Sequence, residues 1–523
     1  SSHLVAEDLS QERAQQFSQE VRLASHLRGP LNFSVGANYM HYQTVEDYYV
    51  FMNAISLLTE YNNMVYGTGS YVTPVPHAAF DPAVANACNP QPADRTVLRL
   101  AGFGCAWLDP NPIENIDGQG HNYFRSQNPY SLNSWAGFGE VYYQVTPDVK
   151  LIGGLRWTDD MKHFTSIPSW TAMAGKGYPI EGVVDASQGY IDQEWKEWTG
   201  RFVANWTPKL DFTDQTLVYG SYSRGYKGGG ANPPGVIPVA AFFGIGGSSP
   251  SNVTHPLTFK PEFVDAFELG TKNSLLDGAL TLNANVFYYK YQNYQISQIV
   301  DRTAVNLNFD AHVKGAEVEA TWEPIPGLRF NLSGGYENAT LDSGSNAIDL
   351  MDRTAGNKDW MIVKPFATGT SNCILPTVVV NQLLGNFLPD LTSACLQAYA
   401  HGSDPVTRRP YAVSPLIDWA GFPITSGYLG FDPATAPNAG QGFTKDLSGN
   451  QLPNAPPFTL SAGAQYSMPV SADWAATARV DGYWQGNTFA RVFNDKPYDQ
   501  IHGYTNVNLS LTLTNQDGWQ AMA

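Results

Sequence analysis

The stretch LTLNANVFY at residues 280–288 decides the fold, because hydrophobic and polar residues alternate along it. A period of two places successive side chains on opposite faces of a β-strand. Leu282 and Val286 therefore share one face, and Asn283 and Asn285 share the other. The same pattern returns at residues 316–323, 328–337 and 506–514. The sequence thus predicts an all-β fold with long strands.

A weaker pattern of the same kind lies near the start of the chain. Phe17, Val21 and Leu23 alternate with polar residues, which favours a strand. Residues 12–16, however, are good helix formers. The sequence therefore predicts a strand here and leaves a helix open for the first half of the segment.

The composition narrows the class of protein. The chain has 523 residues, a net charge of -17 and 13% aromatic residues, and only 15% of its residues are charged. About 25% is usual for soluble globular proteins. The acidic balance argues against a nucleic-acid partner, because a phosphate backbone requires clustered Lys and Arg. No stretch of the sequence approaches the roughly 18 consecutive apolar residues of a transmembrane helix.

Turn signals of two sizes separate the strands. The short ones contain the Pro, Asp or Gly that tight turns require, and they lie at residues 28–30, 146–148, 208–211, 276–278, 324–327 and 515–518. The long ones are polar and span roughly 43–131, 165–192, 227–261 and 342–455. The two sizes alternate, with brief exceptions near 299–303 and 494–498. This order predicts a transmembrane antiparallel β-barrel with short turns at one end and long extracellular loops at the other.

The chemistry of the two strand faces supports a membrane barrel. Glu317, Glu319 and Asp481 lie on the polar faces. Burying such charges in a dry core costs several kcal/mol each, whereas a hydrated lumen accepts them. The apolar faces carry aromatic residues toward the strand ends, such as Trp474 and Trp484. We predict that these faces meet lipid between two aromatic girdles, the alternative being that the aromatics fill the core of a soluble sandwich.

The number of strands indicates an open set. We count about 13 complete strands and the start of another at residues 519–523. An open set leaves two unpaired edges, which a bilayer does not tolerate. The chain also begins with Ser1 rather than Met. We therefore expect residues 1–523 to be part of a larger closed barrel.

Five segments together carry a resemblance to a known family. In chain order they are SWAGFGE at 134–140 with GLRWTDD at 154–160, LVYGSYSRGYKGGG at 217–230, FKPE at 259–262 with FELGTK at 267–272, KGAEVE at 314–319, and LPNAP at 452–456. The set resembles the barrel of TonB-dependent outer-membrane receptors. Each segment alone is weak, but five in the family's order form a specific signal.

The resemblance implies a barrel of about 22 strands that an N-terminal plug domain fills in the complete protein. From the resemblance we expect residues 1–523 to supply about 13 to 14 of those strands, without the plug, the TonB box, the first strands and the closing strand. We therefore expect residues 1–523 to form an incomplete TonB-dependent receptor β-barrel domain.

A receptor of this family takes up a scarce ligand across the bacterial outer membrane and draws its energy through TonB. The resemblance implies an iron-siderophore-like chelate, haem, cobalamin or an oligosaccharide as cargo. The expected partners are outer-membrane lipid, TonB and the ligand, and the expected state is a monomer. We expect no catalytic residue, no metal site and no cofactor.

Ligand contacts are expected where strands enter the outer loops. Aromatic and cationic side chains at such positions suit an anionic or aromatic chelate. Two strand tops supply the six candidates: Tyr222, Arg224, Tyr226 and Lys227 at one, and Arg491 and Phe493 at the other.

The four cysteines form two local pairs, Cys88 with Cys105 and Cys373 with Cys395, each inside one long loop. An even number at local spacing outside the cytosol predicts two disulfides that staple the loops. The spacings fit no zinc-binding pattern.

Two other functions stay open on the sequence. A secreted all-β carbohydrate-active enzyme or adhesin would use paired carboxylates, and residues 159–160 with Asp192 and Glu194 supply some. Solvated loop or lumen charges explain these carboxylates better, because no pocket-forming scaffold accompanies them. A passive porin would have similar strands and no plug.

Overall fold

One large antiparallel sheet organises the chain. The computed structural model describes residues 6–52, 96–100, 104–108, 124–165, 170–171, 190–233, 256–300, 303–363, 373–385 and 436–523. Within these residues, fourteen strands follow one another in chain order, and each is hydrogen-bonded to the next. The predicted all-β, up-and-down antiparallel architecture is confirmed.

The strands of this sheet are numbered along the chain: β1 Ala6–Ala24, β2 Leu31–Met52, β3 Phe124–Thr146, β4 Val149–Thr165, β5 Tyr190–Trp206, β6 Gln215–Lys227, β7 Glu262–Leu275, β8 Leu280–Val300, β9 Thr303–Ile325, β10 Leu328–Leu341, β11 Phe458–Pro469, β12 Trp474–Gln485, β13 Tyr504–Asn515 and β14 Gln520–Met522. The last strand has only 3 residues. The predicted set of complete strands followed by the start of another is therefore confirmed.

The loops carry small elements of their own. Five short antiparallel pairs join Thr96–Leu100 with Gly104–Leu108, Gly230–Ala231 with Thr258–Phe259, Asn346–Ile348 with Thr444–Asp446, Trp360–Val363 with Cys373–Pro376, and Thr488–Phe489 with Gln500–Ile501. A further strand, Trp170–Thr171, pairs with β3. In the described part of the loops, a helix, α1, spans Thr377–Gly385, and a 3-10 turn spans Pro437–Gly440. Among the described residues, no helix has the length and hydropathy needed to cross a bilayer.

The N-terminal segment is a strand along its whole described length. β1 pairs with β2 continuously from Ala6 opposite Met52 to Ala24 opposite Ser34. The predicted strand is confirmed, and the helix left open for residues 12–16 is wrong. A backbone ladder of this length outweighs the modest helix preference of a few residues, because helix propensity is a weak prior against tertiary pairing.

Short turns connect the strands at one end of the sheet. Leu276, Asp277 and Gly278 all have positive φ between β7 and β8. Gly327, between β9 and β10, has a φ of +86°, and a Cβ built there would lie 2.3 Å from the carbonyl oxygen of Ser467. A left-handed backbone without room for a side chain requires glycine. The short turns therefore lie where the sequence predicts them.

At the other end, one predicted loop is too long. β2 continues to Met52 and β3 begins at Phe124, so the loop predicted at 43–131 is wrong at both borders. Apart from Val45, residues 43–47 are polar on both faces of β2, so this part of the strand has no hydrophobic alternation to detect. The other three predicted loops match the ends of β4, β6 and β10 and the starts of the strands that follow.

The two faces of the sheet differ in chemistry as predicted. Leu282 lies opposite Ala320 on one face, which we call the apolar face, and Asn285 lies opposite Glu317 on the other, the polar face. Leu282, Val318 and Leu511 remain 37%, 39% and 49% exposed. Large side chains of a sandwich core would be buried, so the soluble-sandwich alternative is wrong.

Aromatic residues mark both edges of the apolar face. Trp206 and Trp198 stand eight residues apart on β5, and Trp474 and Trp484 stand ten apart on β12. At about 3.3 Å per residue and a tilt near 45°, these spacings correspond to roughly 19–23 Å along the bilayer normal. That height is close to the apolar band of a transmembrane barrel, which is about 25 Å.

The buried core lies at the loop end of the polar face. Phe309, Ala311 and Val313 of β9 and Ala339 and Leu341 of β10 are buried there. These five residues lie on the same face of the sheet as Glu317. The polar face therefore becomes hydrophobic where the loops cover it. Loop side chains complete this core: Ala347, Leu447, Leu452, Val492 and Phe493.

Candidate functional site

The first group of predicted ligand residues does not converge on one face. Tyr222 lies opposite Phe267, and Arg224 lies opposite Asp265, in register with the apolar face. Tyr226 continues that register, and its ring centroid lies 5.6 Å from that of Phe263. Lys227 lies opposite Glu262 on the polar face, because successive residues of a strand alternate.

One of the two cations in this group, Arg224, is already paired. Arg224 Nη1 donates to both carboxylate oxygens of Asp265 at 2.9 Å, and Tyr222 Oη donates to Asp265 Oδ1 at 2.8 Å. The guanidinium also lies 4.8 Å from the ring centroid of Phe263. Arg224 is therefore held against the sheet rather than presented as a free cation.

The second predicted group lies in packed loops. We define the loop cluster as residues 342–363, 436–457 and 486–503, which meet above the loop end of β9 and β10. Arg491 Nη1 lies 2.8 Å from Asp349 Oδ1, and Arg491 Nε lies 2.6 Å from Asp499 Oδ1. Phe493 is buried in the core of this cluster, with the guanidinium of Arg491 5.2 Å from its ring centroid. Their contacts favour a structural role, and ligand binding by either residue stays a prediction.

A second cation completes the ion network of the loop cluster. Lys445 Nζ lies 3.3 Å from Asp349 Oδ2, 2.8 Å from Asp352 Oδ2 and 3.0 Å from Asp495 Oδ2. Lys445 belongs to the short strand Thr444–Asp446, whose partner strand Asn346–Ile348 leads directly to Asp349. The network therefore joins all three segments of the loop cluster.

Asp349 keeps its charge although its side chain is 0% exposed. Burial opposes the carboxylate, but hydrogen bonds from Arg491 and from the backbone N–H of Met351 outweigh it and lower the pKa of Asp349 to about 2. Burial raises the pKa of Asp495, and its contact with Asp349 raises it further. The network thus holds one firmly ionised carboxylate at its centre and one that protonates more readily at its edge.

Below the loop cluster, the polar face of β6 to β10 forms what we call the polar wall. Tyr219 Oη donates to Glu268, and Asn285 Nδ2 donates to Glu317 Oε2 at 3.1 Å. The side-chain oxygens of Asn283 and Asn285 are buried and have no hydrogen-bond partner among the described residues. Buried polar atoms are normally paired, so these amides are available to hydrogen-bond another group.

The polar wall was not among the candidates drawn from the sequence. The segment 217–227 carries tyrosine, serine or charged residues on both faces, so it does not by itself reveal which residues face the lumen. The register with β7 and β8 decides this, because their alternation is clear. The alternation of Leu282 and Asn283 on β8 can be carried across β7 to β6 through these registers. It places Tyr219 and Glu268 on the polar face, whereas Tyr222 and Arg224 lie on the apolar face.

The cysteine prediction falls partly outside the described residues. Cys373 is buried and disulfide-bonded, and it begins the short strand Cys373–Pro376 that leads into α1. Cys105 lies on the strand Gly104–Leu108, while Cys88 and Cys395 lie outside the described residues. The two predicted pairings therefore stay predictions.

Comparison with solved structures gives distant similarities. The ferric yersiniabactin uptake receptor from Yersinia pestis shares 13% identity, with 97% of this chain and 48% of that one covered and a TM-score of 0.49. The siderophore receptor from Acinetobacter baumannii shares 14% identity, with 98% and 51% covered and a TM-score of 0.48. This chain spans about half the length of these two structures. No curated protein sequence matches it.

A family model assigns the chain more firmly. The model described as TonB dependent receptor-like, beta-barrel matches residues 8–370, well over half of the chain. Members of this family are receptors and transporters of the outer membrane of Gram-negative bacteria. In that setting the apolar face meets lipid and the polar face lines the lumen. The chain belongs to the family of TonB-dependent receptor β-barrels.

Proposed function

We propose that this chain is the barrel part of an outer-membrane receptor that takes up a scarce ligand by TonB-energised transport. Because one sheet runs from Ala6 to Met522, we also propose that residues 1–523 belong throughout to the barrel domain. Its cargo would be an iron-siderophore-like chelate, haem, cobalamin or an oligosaccharide.

The observation that carries this proposal is the arrangement of the loop cluster above the polar wall. The loop cluster packs on the polar face rather than projecting away from the sheet. The wall beneath it offers tyrosine, carboxylate and amide groups, including the unpaired oxygens of Asn283 and Asn285. Loops that cover a surface of hydrogen-bonding groups suit the selective binding of a ligand better than the unobstructed passage of solutes through a porin.

The charges of the loop cluster bear on the class of cargo. Both of its cations described above, Lys445 and Arg491, are engaged by aspartates. The polar wall adds Glu262, Glu268, Glu317 and Glu337 against Lys227 and Lys272, so it is acidic on balance. This arrangement favours a neutral cargo that is recognised by hydrogen bonds and aromatic contacts over an anionic chelate.

Uptake by cells tests the proposal. The complete receptor gene is expressed in an outer-membrane-competent strain with and without TonB, and accumulation of radiolabelled candidate cargoes is measured. We expect one cargo to accumulate only when receptor and TonB are both present. Accumulation that persists without TonB would indicate a passive porin, and release of a chemically altered product would indicate an enzyme.

A further inference from the structure

The apolar face carries charges where the loop end of the sheet rises above the aromatic girdle. Five basic residues and their acidic neighbours share this level. We call the group the charged belt: Asp159, Glu194, Lys196, Arg224, Asp265, Lys290, His312, Lys314 and Asp342. Because the apolar face meets lipid, these side chains stand at the surface of the outer leaflet and not at the lumen.

Most of the cations in the charged belt are paired. Lys196 Nζ lies 2.7 Å from Glu194 Oε1, and His312 Nδ1 lies 2.6 Å from Asp342 Oδ1. Arg224 is held by Asp265, as described above. Lys290 and Lys314 differ, because both are exposed and neither forms an ion pair with any described residue.

The register brings these two lysines together. Lys290 lies opposite His312, and Lys314 lies opposite Tyr288, so the lysines are diagonal neighbours on β8 and β9. Diagonal neighbours across antiparallel strands stand roughly 7–8 Å apart. A phosphate group can accept from two ammonium groups at that separation.

A groove adjoins Lys290, the first of these two lysines. It has a volume of about 500 Å³ and is lined by Tyr222, Arg224, Asp265, Phe267, Tyr288 and Lys290. Its aromatic walls continue downward into Leu269 and Val286 on the apolar face. One site therefore offers cations at its upper edge and a hydrophobic surface below.

We propose that Lys290, Lys314 and this groove bind a phosphorylated lipid of the outer leaflet. The phosphate accepts from the two free ammonium groups, and the acyl chains lie along the apolar face beneath the aromatic girdle. Charge complementarity selects this occupant, because Lys290 and Lys314 form no ion pair with a described residue in a chain whose net charge is -17. The nearby carboxylates of Asp265 and Asp342 do not oppose the phosphate strongly, since Arg224 and His312 engage them.

Binding to a defined lipid tests the site. The complete receptor, purified in detergent, is titrated with lipid A carrying both phosphates and with the same lipid after dephosphorylation. We expect the phosphorylated lipid to bind more tightly, and K290Q/K314Q to weaken that binding about 30-fold, since each surface cation contributes to attraction for an anionic lipid. K272Q/K358Q removes the same charge from the polar face and a loop, and should bind as the unaltered receptor does.

Three results would overturn the proposal. The first is equal binding of phosphorylated and dephosphorylated lipid by the unaltered receptor. The second is unchanged binding by K290Q/K314Q. The third is inorganic phosphate alone binding as tightly as the lipid, which would identify a soluble anion as the occupant.

Discussion

The strands and the loop cluster of this barrel are stabilised in different ways. The strands hold one another through backbone ladders, and their large apolar side chains remain exposed to lipid. The loop cluster has few ladders but contains a buried core and an ion network centred on Asp349. Side-chain substitutions should therefore disturb the loop cluster far more than chemically equal substitutions on the strands.

The largest expected contrast concerns two arginines. Arg491→Ala leaves the buried carboxylates of Asp349 and Asp499 with fewer partners, which should destabilise the loop cluster by about 3–5 kcal/mol. Arg224→Ala breaks a partly exposed pair and should cost no more than about 1 kcal/mol. Hydrogen exchange of residues 442–450 and of β6 measures both effects. Equal protection of the loop cluster in the two variants would contradict the contrast.

Two leucines on β10 provide a smaller contrast. Leu341 is 1% exposed in the loop-cluster core, and Leu332 is 45% exposed on the apolar face. Leu341→Ala leaves a cavity and should cost about 3 kcal/mol of loop-cluster stability. Leu332→Ala should cost less than about 1 kcal/mol, because lipid fills the space. Denaturant titration with a dye on Met351→Cys, which lies in the loop cluster, reports the first effect and should not report the second.

The pH dependence of the loop cluster follows from Asp349. Its pKa in the folded protein, about 2, lies below its ordinary value of 3.8. The stabilisation is therefore complete above about pH 4 and is lost as the pH falls toward 2, by up to about 2 kcal/mol. The raised pKa of Asp495 acts in the opposite direction and reduces the net change.

The same dye on Met351→Cys measures this pH effect. We expect the loop cluster to loosen between about pH 4 and pH 2 while the strands remain folded. Asp349→Asn should flatten this pH dependence. A loop cluster equally stable at pH 5 and pH 2 would show that Asp349 does not carry the network.

Sequence patterns predict the strands well because the alternation of hydrophobic and polar residues lies within the sequence of each strand. The pattern of residues 280–288 suffices to separate Leu282 from Asn283, and the neighbouring strands repeat it. The prediction fails at 43–52, where residues 43–44 and 46–47 place polar side chains on both faces of β2 and residues 48–52 are uniformly aromatic or apolar. Periodicity marks a strand only where its two faces meet different surroundings.

The candidate site is harder to predict because its contacts are distant along the chain. Asp349 and Arg491 are separated by 142 positions, and Asp349 and Lys445 by 96. Nothing in the local sequence indicates that these residues meet. The orientation of Tyr222 and Arg224 is equally hidden, since it depends on the register with Phe267 and Asp265 rather than on β6 itself.

The central claim is that the apolar face contacts lipid and the polar face lines the lumen. Single cysteines test it most directly. Val318→Cys, Leu282→Cys and Leu511→Cys are compared with Glu317→Cys and Asn283→Cys in the complete receptor, reconstituted into bilayers. A fluorophore at the first three positions should be quenched by nitroxide lipids, and cysteines at the other two should react with a water-soluble maleimide. The reverse pattern would place Leu282, Val318 and Leu511 inside and would contradict the account.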